Sequence, residues 1–330
     1  MTEHRGPLRL AAATVATIAA SAALAAGVSA SAPPDSSAPA DLSGVEILLT
    51  NDDGVQAEGA GLAALRERLC AAGADVVTVA PWSQQSGTSA SITFGATFAV
   101  ATPDGATDAC ADAPSGGTFY GVCLSDTACV ADSESATPSD AVALGLHAVV
   151  PELGWDGGPD VVLVGINDGG NEGLNVPLSG TIGAATWADI YGAPTIALSA
   201  KGDPTPESLA DNGDWAAGLV AALIAADALP DGYVLSVNFP DPENGAPTGV
   251  EWTALSDVTW GGTLYERDGD VFATSYGECS YDACGFPAEG SDDFALQNGA
   301  VSVSPIVVDR TVGVDIDTTR AEAVVESLAP

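Results

Sequence analysis

An apolar run that breaks off into carboxylates sets most of what this chain can become. Ile47-Leu48-Leu49-Thr50 has strand length and branched side chains, and it is followed at once by Asn51-Asp52-Asp53-Gly54. Leu62, Leu65 and Leu69 then recur at helical spacing, and Gly73 stands where a helix would stop. The pattern is a strand, a tight loop and a helix, with Asp52 and Asp53 at the strand's carboxyl end. That edge is where open α/β sheets bind ligands. Two adjacent carboxylates there suit a hard divalent cation. In a chain with 45 acidic residues the same pair equally suits a solvated turn.

The rhythm repeats. Ala74 to Ala80 predicts a second strand, stopped by Pro81, and the polar loop from Trp82 to Ser89 follows it. Residues 91–133 show no clear period. Thr137 and Pro138 open a helix through His147, as N-cap and first-turn residue. Asp160 to Gly165 predicts a third core strand, running into a glycine- and amide-rich loop from Ile166 to Asn175. Ser179-Gly180-Thr181 then starts a helix of small residues, whose N–H groups and positive end would receive a phosphate. Pro194–Ser199 and Tyr233–Asn238 read as strands around an Ala-rich helix over 207–227. Strands alternating with helices imply an α/β fold, Rossmann-like and doubly wound, with a mainly parallel sheet. Residues 248–299 lose that rhythm and read as an antiparallel hairpin extension, an arm suited to a partner subunit. A strand from Ala300 to Pro305 and a helix from Thr318 complete residues 300–330, so the α/β core itself spans 44–247.

Residues 1–32 form a secretory signal by pattern: Arg5 and Arg9, an Ala-rich apolar run, then small residues before the cleavage point. A Pro/Ser/Ala-rich stretch, 33–43, reads as a flexible linker. The expectation is a secreted, extracellular protein with no membrane segment after cleavage. The formal charge of −37 becomes about −38 once Arg5, Arg9 and Glu3 are removed. Such a field repels nucleic-acid duplexes and anionic membranes, which are bound through Lys and Arg. It fits a salty medium or simple solubility, and names no substrate. Cys70, Cys110, Cys123, Cys129, Cys279 and Cys284 predict three disulfides in an oxidising compartment, with 15 pairings open. Cys123/Cys129 and Cys279/Cys284 are close enough to staple local loops. Zinc is the rival reading, disfavoured because no Cys-x-x-Cys occurs.

Absences narrow the chemistry further. Lys201 is the only lysine and follows no phosphate loop, so a Walker-type site has no support. His147 is the only histidine beyond the signal, and no Gly-x-Ser-x-Gly elbow accompanies it, which removes the basis for a serine hydrolase. Carboxylates, hydroxyls, amides, backbone N–H groups and a metal remain.

With these loops in order, the chain resembles the SurE family of survival-protein nucleotidases, from about Glu46 to Ile306. Ile47 to Gly54 is similar to the family's opening signature, and Val79-Ala80-Pro81 with Ser86-Gly87 to its second. Thr137-Pro138-Ser139-Asp140, Gly165 to Asn171, Ser179-Gly180-Thr181, Ser236 to Pro240 and Val301 to Pro305 resemble the later ones. The resemblance implies a metal-dependent phosphomonoesterase acting on nucleoside 5′- or 3′-monophosphates, with Mg or Mn as the cofactor and Ca a third candidate. It implies Asp52, Asp53, Ser86 and Asn167 as metal ligands. Asn51, Gly87, Asn171, Ser179, Gly180 and Thr181 would surround the phosphate, with Asp52 and Asn171 catalytic. It also implies a homodimer or higher homo-oligomer. Gln85 stands where the family usually has arginine, Asn175 where aspartate is common, and Trp187 where glutamate is common. A non-catalytic metal- and nucleotide-binding protein of the same fold is the alternative.

Overall fold

The computed structural model describes residues 40–56, 60–103, 109–258, 261–278 and 285–308. The expected signal, the linker before residue 40, Cys279, Cys284 and the helix from Thr318 lie outside the described residues. Strand β1 (Glu46–Thr50) leads to helix α1 (Ala60–Ala71) and β2 (Asp75–Pro81). Two short strands follow, β3 (Phe98–Ala101) and β4 (Phe119–Leu124). Helix α2 (Pro138–Leu144) runs through a π-helical turn into the short α3 (Val150–Glu152). Then come β5 (Val161–Asp168), α4 (Gly180–Ile190), β6 (Thr195–Ala200), α5 (Pro206–Ala225) and β7 (Val234–Phe239). The chain continues as β8 (Val250–Trp252), β9 (Gly261–Asp268), β10 (Val271–Glu278), α6 (Asp292–Gln297) and β11 (Val301–Ile306).

Among the described residues nine strands form one sheet, in the order β3-β4-β2-β1-β5-β6-β7-β11-β8. From β4 to β7 neighbours are parallel, whereas β3 and β11 run antiparallel to β4 and β7. The separate antiparallel hairpin of β9 and β10 stands within the region expected to lose the α/β rhythm. Both faces of the sheet are covered, which is why its strands read as unbroken apolar runs. Ile47 and Leu49 enter one layer with Leu62, Leu65 and Leu69 of α1 and Leu209 and Val220 of α5. Leu48 enters the other, with Val142 of α2 and Ile182 and Ala185 of α4. Each such leucine, once buried, contributes about 2 kcal/mol.

The order carries a functional consequence. After β1 the chain winds outward through β2 and β4, then returns to β5 beside β1 and winds the other way. The carboxyl ends of β1 and β5 therefore flank the switch point where such sheets form a crevice.

Three expectations need correcting. Strand β5 runs through Asp168, so Ile166, Asn167 and Asp168 belong to the strand and not to a loop. Gly165 disguised this, yet Ile166 is fully buried, and the register on β6 shifts between Val164 and Asn167 as at a bulge. Within the expected hairpin region, residues 292–297 form α6, capped by the Ser291 hydroxyl, which accepts from the Phe294 N–H. At the described end of the expected linker, Leu42 is fully buried and its N–H donates to the Ala72 carbonyl. Disulfides join Cys123 to Cys129, the local staple expected, and Cys70 of α1 to Cys110.

Candidate active site

Asp52 leaves β1 and meets the first turn of α4. Its carboxylate accepts from the Thr181 N–H at 3.0 Å and from the Thr181 hydroxyl at 2.7 Å. The Gly180 N–H also bonds to it. Ser179 is the N-cap, its hydroxyl accepting from the Ile182 N–H at 3.1 Å. An anion at this helix end gains from the macrodipole as well as the hydrogen bonds. The sequence placed these donors around a phosphate; in the structure the amides of Gly180 and Thr181 hold Asp52. Only glycine fits at 180, because a Cβ there would stand 2.9 Å from both Cβ and Oδ2 of Asp52. Burial pushes the Asp52 carboxyl above the ordinary aspartate range, opposed by the bonds from Thr181 and Gly180.

The neighbouring loops are stitched to the same point. The Gln85 N–H donates to the Asp52 carbonyl at 2.7 Å, which fixes the second loop against the first. Asp53 Oδ2 accepts from the Asp168 N–H at 3.2 Å, which joins β1 to the end of β5. Gly54 turns the chain at φ +86°, and the Ser83 backbone would lie within 2.6 Å of any Cβ.

Whether a cation suits this place is tested by Asn167. Its Nδ2 donates to the Gly169 carbonyl at 2.7 Å, which orients the amide, and its buried Oδ1 has no hydrogen-bond partner. An oriented, unsatisfied oxygen on the strand end whose next residue, Asp168, bonds to Asp53 fits a hard cation. Among the described residues no three His, Cys, Asp or Glu side chains gather into a metal-holding group. Two carboxylates would therefore need neutral oxygens such as Asn167 to complete the set.

The other expected residues divide. Asn171 is buried: its Nδ2 donates to the Ser199 hydroxyl at 2.8 Å, its N–H to Asn238 Oδ1 at 2.7 Å, and its carbonyl accepts from Asn238 Nδ2 at 3.1 Å. Ser86 is exposed, and its hydroxyl accepts from Gln84 Nε2 at 2.7 Å. Gly87 is exposed at φ +81°, with nothing within 4 Å of a Cβ. Asn51 is fully buried, and both ends of its amide bond to Gly54, so it shapes the loop from within. Trp187 donates through Nε1 to the Ala90 carbonyl and stacks near Tyr191, holding the segment after the second loop.

A family model described as Survival protein SurE matches residues 47–262. The chain belongs to the SurE family. A protein named 5′-nucleotidase SurE from Syntrophotalea carbinolica is 31% identical over 269 residues, 80% of this chain and 92% of that protein. One of the same name from Aeromonas hydrophila is 33% identical over 281 residues, 81% of this chain and 94% of that protein. The crystal structure of the SurE protein from Aquifex aeolicus superposes with a TM-score of 0.63 at 28% identity, covering 85% of this chain and 99% of that one. SurE family nucleotidases generally depend on a divalent metal.

The two supports of Asn171 carry no functional role in the sequence pattern. Ser199 and Asn238 are polar residues near the carboxyl ends of mostly apolar strands, and both are buried. That misfit in composition was the available signal.

Proposed function

We propose that this SurE protein is a secreted, metal-dependent phosphomonoesterase that hydrolyses nucleoside 5′- and 3′-monophosphates to nucleoside and phosphate. The reading rests on one observation above all: at the β1/β5 switch point the buried pair Asp52 and Asp53 is bonded on one side to α4, through Thr181, and on the other to the end of β5, through the Asp168 N–H, where the neighbouring Asn167 has a buried Oδ1 without a hydrogen-bond partner. The nucleotidase names of relatives that share about four-fifths of the chain support the activity.

Asp52, Asp53 and Asn167 would hold a divalent ion such as Mg or Mn, with Ser86 joining once its hydroxyl leaves Gln84. When bound, the ion supplies Lewis-acid polarisation of a phosphoryl oxygen and a lowered pKa for water. Asp52 is fixed by donors from Thr181 and Gly180. It accepts a proton from the attacking water as general base. Asn171, whose backbone and amide are clamped by Asn238 and Ser199, directs its remaining amide N–H to the phosphate. The Ser179 hydroxyl and the open space at Gly87 complete the oxyanion's surroundings. Lacking a cationic side chain at Gln85, the site relies on the ion to neutralise the phosphate, the helix end already holding Asp52.

Export is supported by the leader pattern and by the two disulfides. Leu264, Tyr265, Val271 and Phe272 of the hairpin are all more than half exposed, which supports a second copy of the chain as partner. Phosphate release from a panel of nucleoside monophosphates, with and without chelator, is the decisive experiment. Metal-dependent release is expected. Metal-dependent nucleotide binding without release would replace hydrolysis by the binding reading, and neither would remove both.

A further inference from the structure

The only lysine of the chain lies at the ligand edge of the sheet, one residue beyond β6. Its Nζ meets Glu172 Oε1 at 2.5 Å and Asp293 Oδ1 at 3.6 Å. Both carboxylates are buried. Glu172 directly follows Asn171, and the loop is held residue by residue. Asn171 is gripped by Asn238 and Ser199, Glu172 by Lys201, and the Gly173 N–H by Asp292 Oδ2 at 2.9 Å. Just upstream, the Gly169 N–H donates to the Ala200 carbonyl at 2.9 Å. Lys201 and Ser199 come from the same strand end, so the cation and the hydroxyl hold consecutive loop residues from one rigid base.

We infer that Lys201 is a positioning residue for the phosphate-contacting amide of Asn171, acting through its ion pair with Glu172. The inference rests on the reading of Asn171 given above. Among the described residues Lys201 is the cation that meets Glu172, so without the ammonium Glu172 would stand buried beside Asp292 and Asp293. A buried carboxylate so placed either takes up a proton or moves towards water. Movement of Glu172 carries Asn171 with it, since the two are adjacent in sequence. Asp292 and Asp293 begin α6, so the same lysine also ties the loop to that helix.

Steady-state hydrolysis of a nucleoside monophosphate by Lys201→Met, Asn171→Ala and the double variant tests this. Displacement of a positioned group predicts a fall in kcat/KM of about tenfold to a hundredfold for Lys201→Met. Asn171→Ala should fall at least as far, and the double variant no further than Asn171→Ala alone. Inhibition by inorganic phosphate should weaken in parallel. Multiplicative effects, or an unimpaired Lys201→Met beside an impaired Asn171→Ala, overturn the inference. An unimpaired Asn171→Ala instead removes the reading of Asn171 itself. If Lys201→Met fails to fold, Lys201→Arg and Glu172→Gln decide. The arginine variant keeps the charge and should stay within about threefold of the parent, while Glu172→Gln should lose activity; equal activity in both overturns the inference.

Discussion

At the scale of single residues, the site depends on how Asp52 is held. Replacing it by asparagine keeps its shape and leaves one oxygen for the Thr181 and Gly180 N–H groups, so the fold should survive. The charge and the basic oxygen are lost. Asp52→Asn is expected to lower kcat by about a hundredfold or more, with a melting temperature near that of the parent. Full activity in that variant would remove Asp52 from the chemistry. Gly180 gives a subtler test. Alanine is the better helix residue by about 1 kcal/mol, so local propensity favours Gly180→Ala. Its methyl group would nonetheless crowd Asp52 at 2.9 Å and the Gln85 carbonyl at 3.1 Å. The expected outcome is a large loss of kcat with a lesser loss of thermal stability, since the buried Asp52 side chain and the Gln85 backbone must both give way. A variant that melts early and keeps its specific activity would contradict this.

Among elements, the disulfides tie loops of different length to the sheet. Cys70–Cys110 spans 40 residues and fastens α1 to the loop before β4. Cys123–Cys129 spans 6 and closes a loop that reaches back to the site, because the Trp82 Nε1 donates to the Val130 carbonyl at 2.8 Å. On the chain-entropy account, removing the long-range link costs about 4 kcal/mol and the short one about 2 kcal/mol. Denaturant unfolding of the paired serine variants should rank them in that order. The short link should also affect activity, since Trp82 begins the second loop and the Ser135 hydroxyl donates to the Ser83 carbonyl. Equal stability losses for the two pairs would show that native packing, and not loop closure, sets their worth.

For the whole molecule the dominant fact is charge. With 45 acidic residues against 8 basic ones, most carboxylates have no cation to meet. The repulsion acts over a Debye length of about 10 Å at 0.1 M salt and about 3 Å at 1 M. Raising NaCl from low concentration to 1 M should therefore raise the melting temperature by several degrees, and an isosmotic sucrose control should not match it. A melting temperature indifferent to salt would mean that the acidic groups are too dispersed to strain the fold.

Much of this was legible in the chain itself. The periods of Ile47–Thr50, Leu62–Leu69 and Pro194–Ser199, with their polar stops, determined the alternating α/β fold and the sheet edge that would carry function. That follows because side-chain periodicity and turn chemistry are local properties, written within a few residues. What lies beyond β5 needed the folded chain. Gly165 broke the strand pattern locally, yet partners in β6 carry β5 on to Asp168. The amides of Gly180 and Thr181 were recognisable as anion donors, but only packing showed that Asp52, over a hundred residues earlier, takes them. Lys201 belongs to no motif and Asn238 was read only as part of a strand motif, and their roles appear only where β6 and β7 bring them beneath Asn171 and Glu172. Composition and spacing thus determined which groups this protein can offer, and the strand order decided which of them meet, because hydrogen bonds between distant segments depend on proximity that no local pattern encodes.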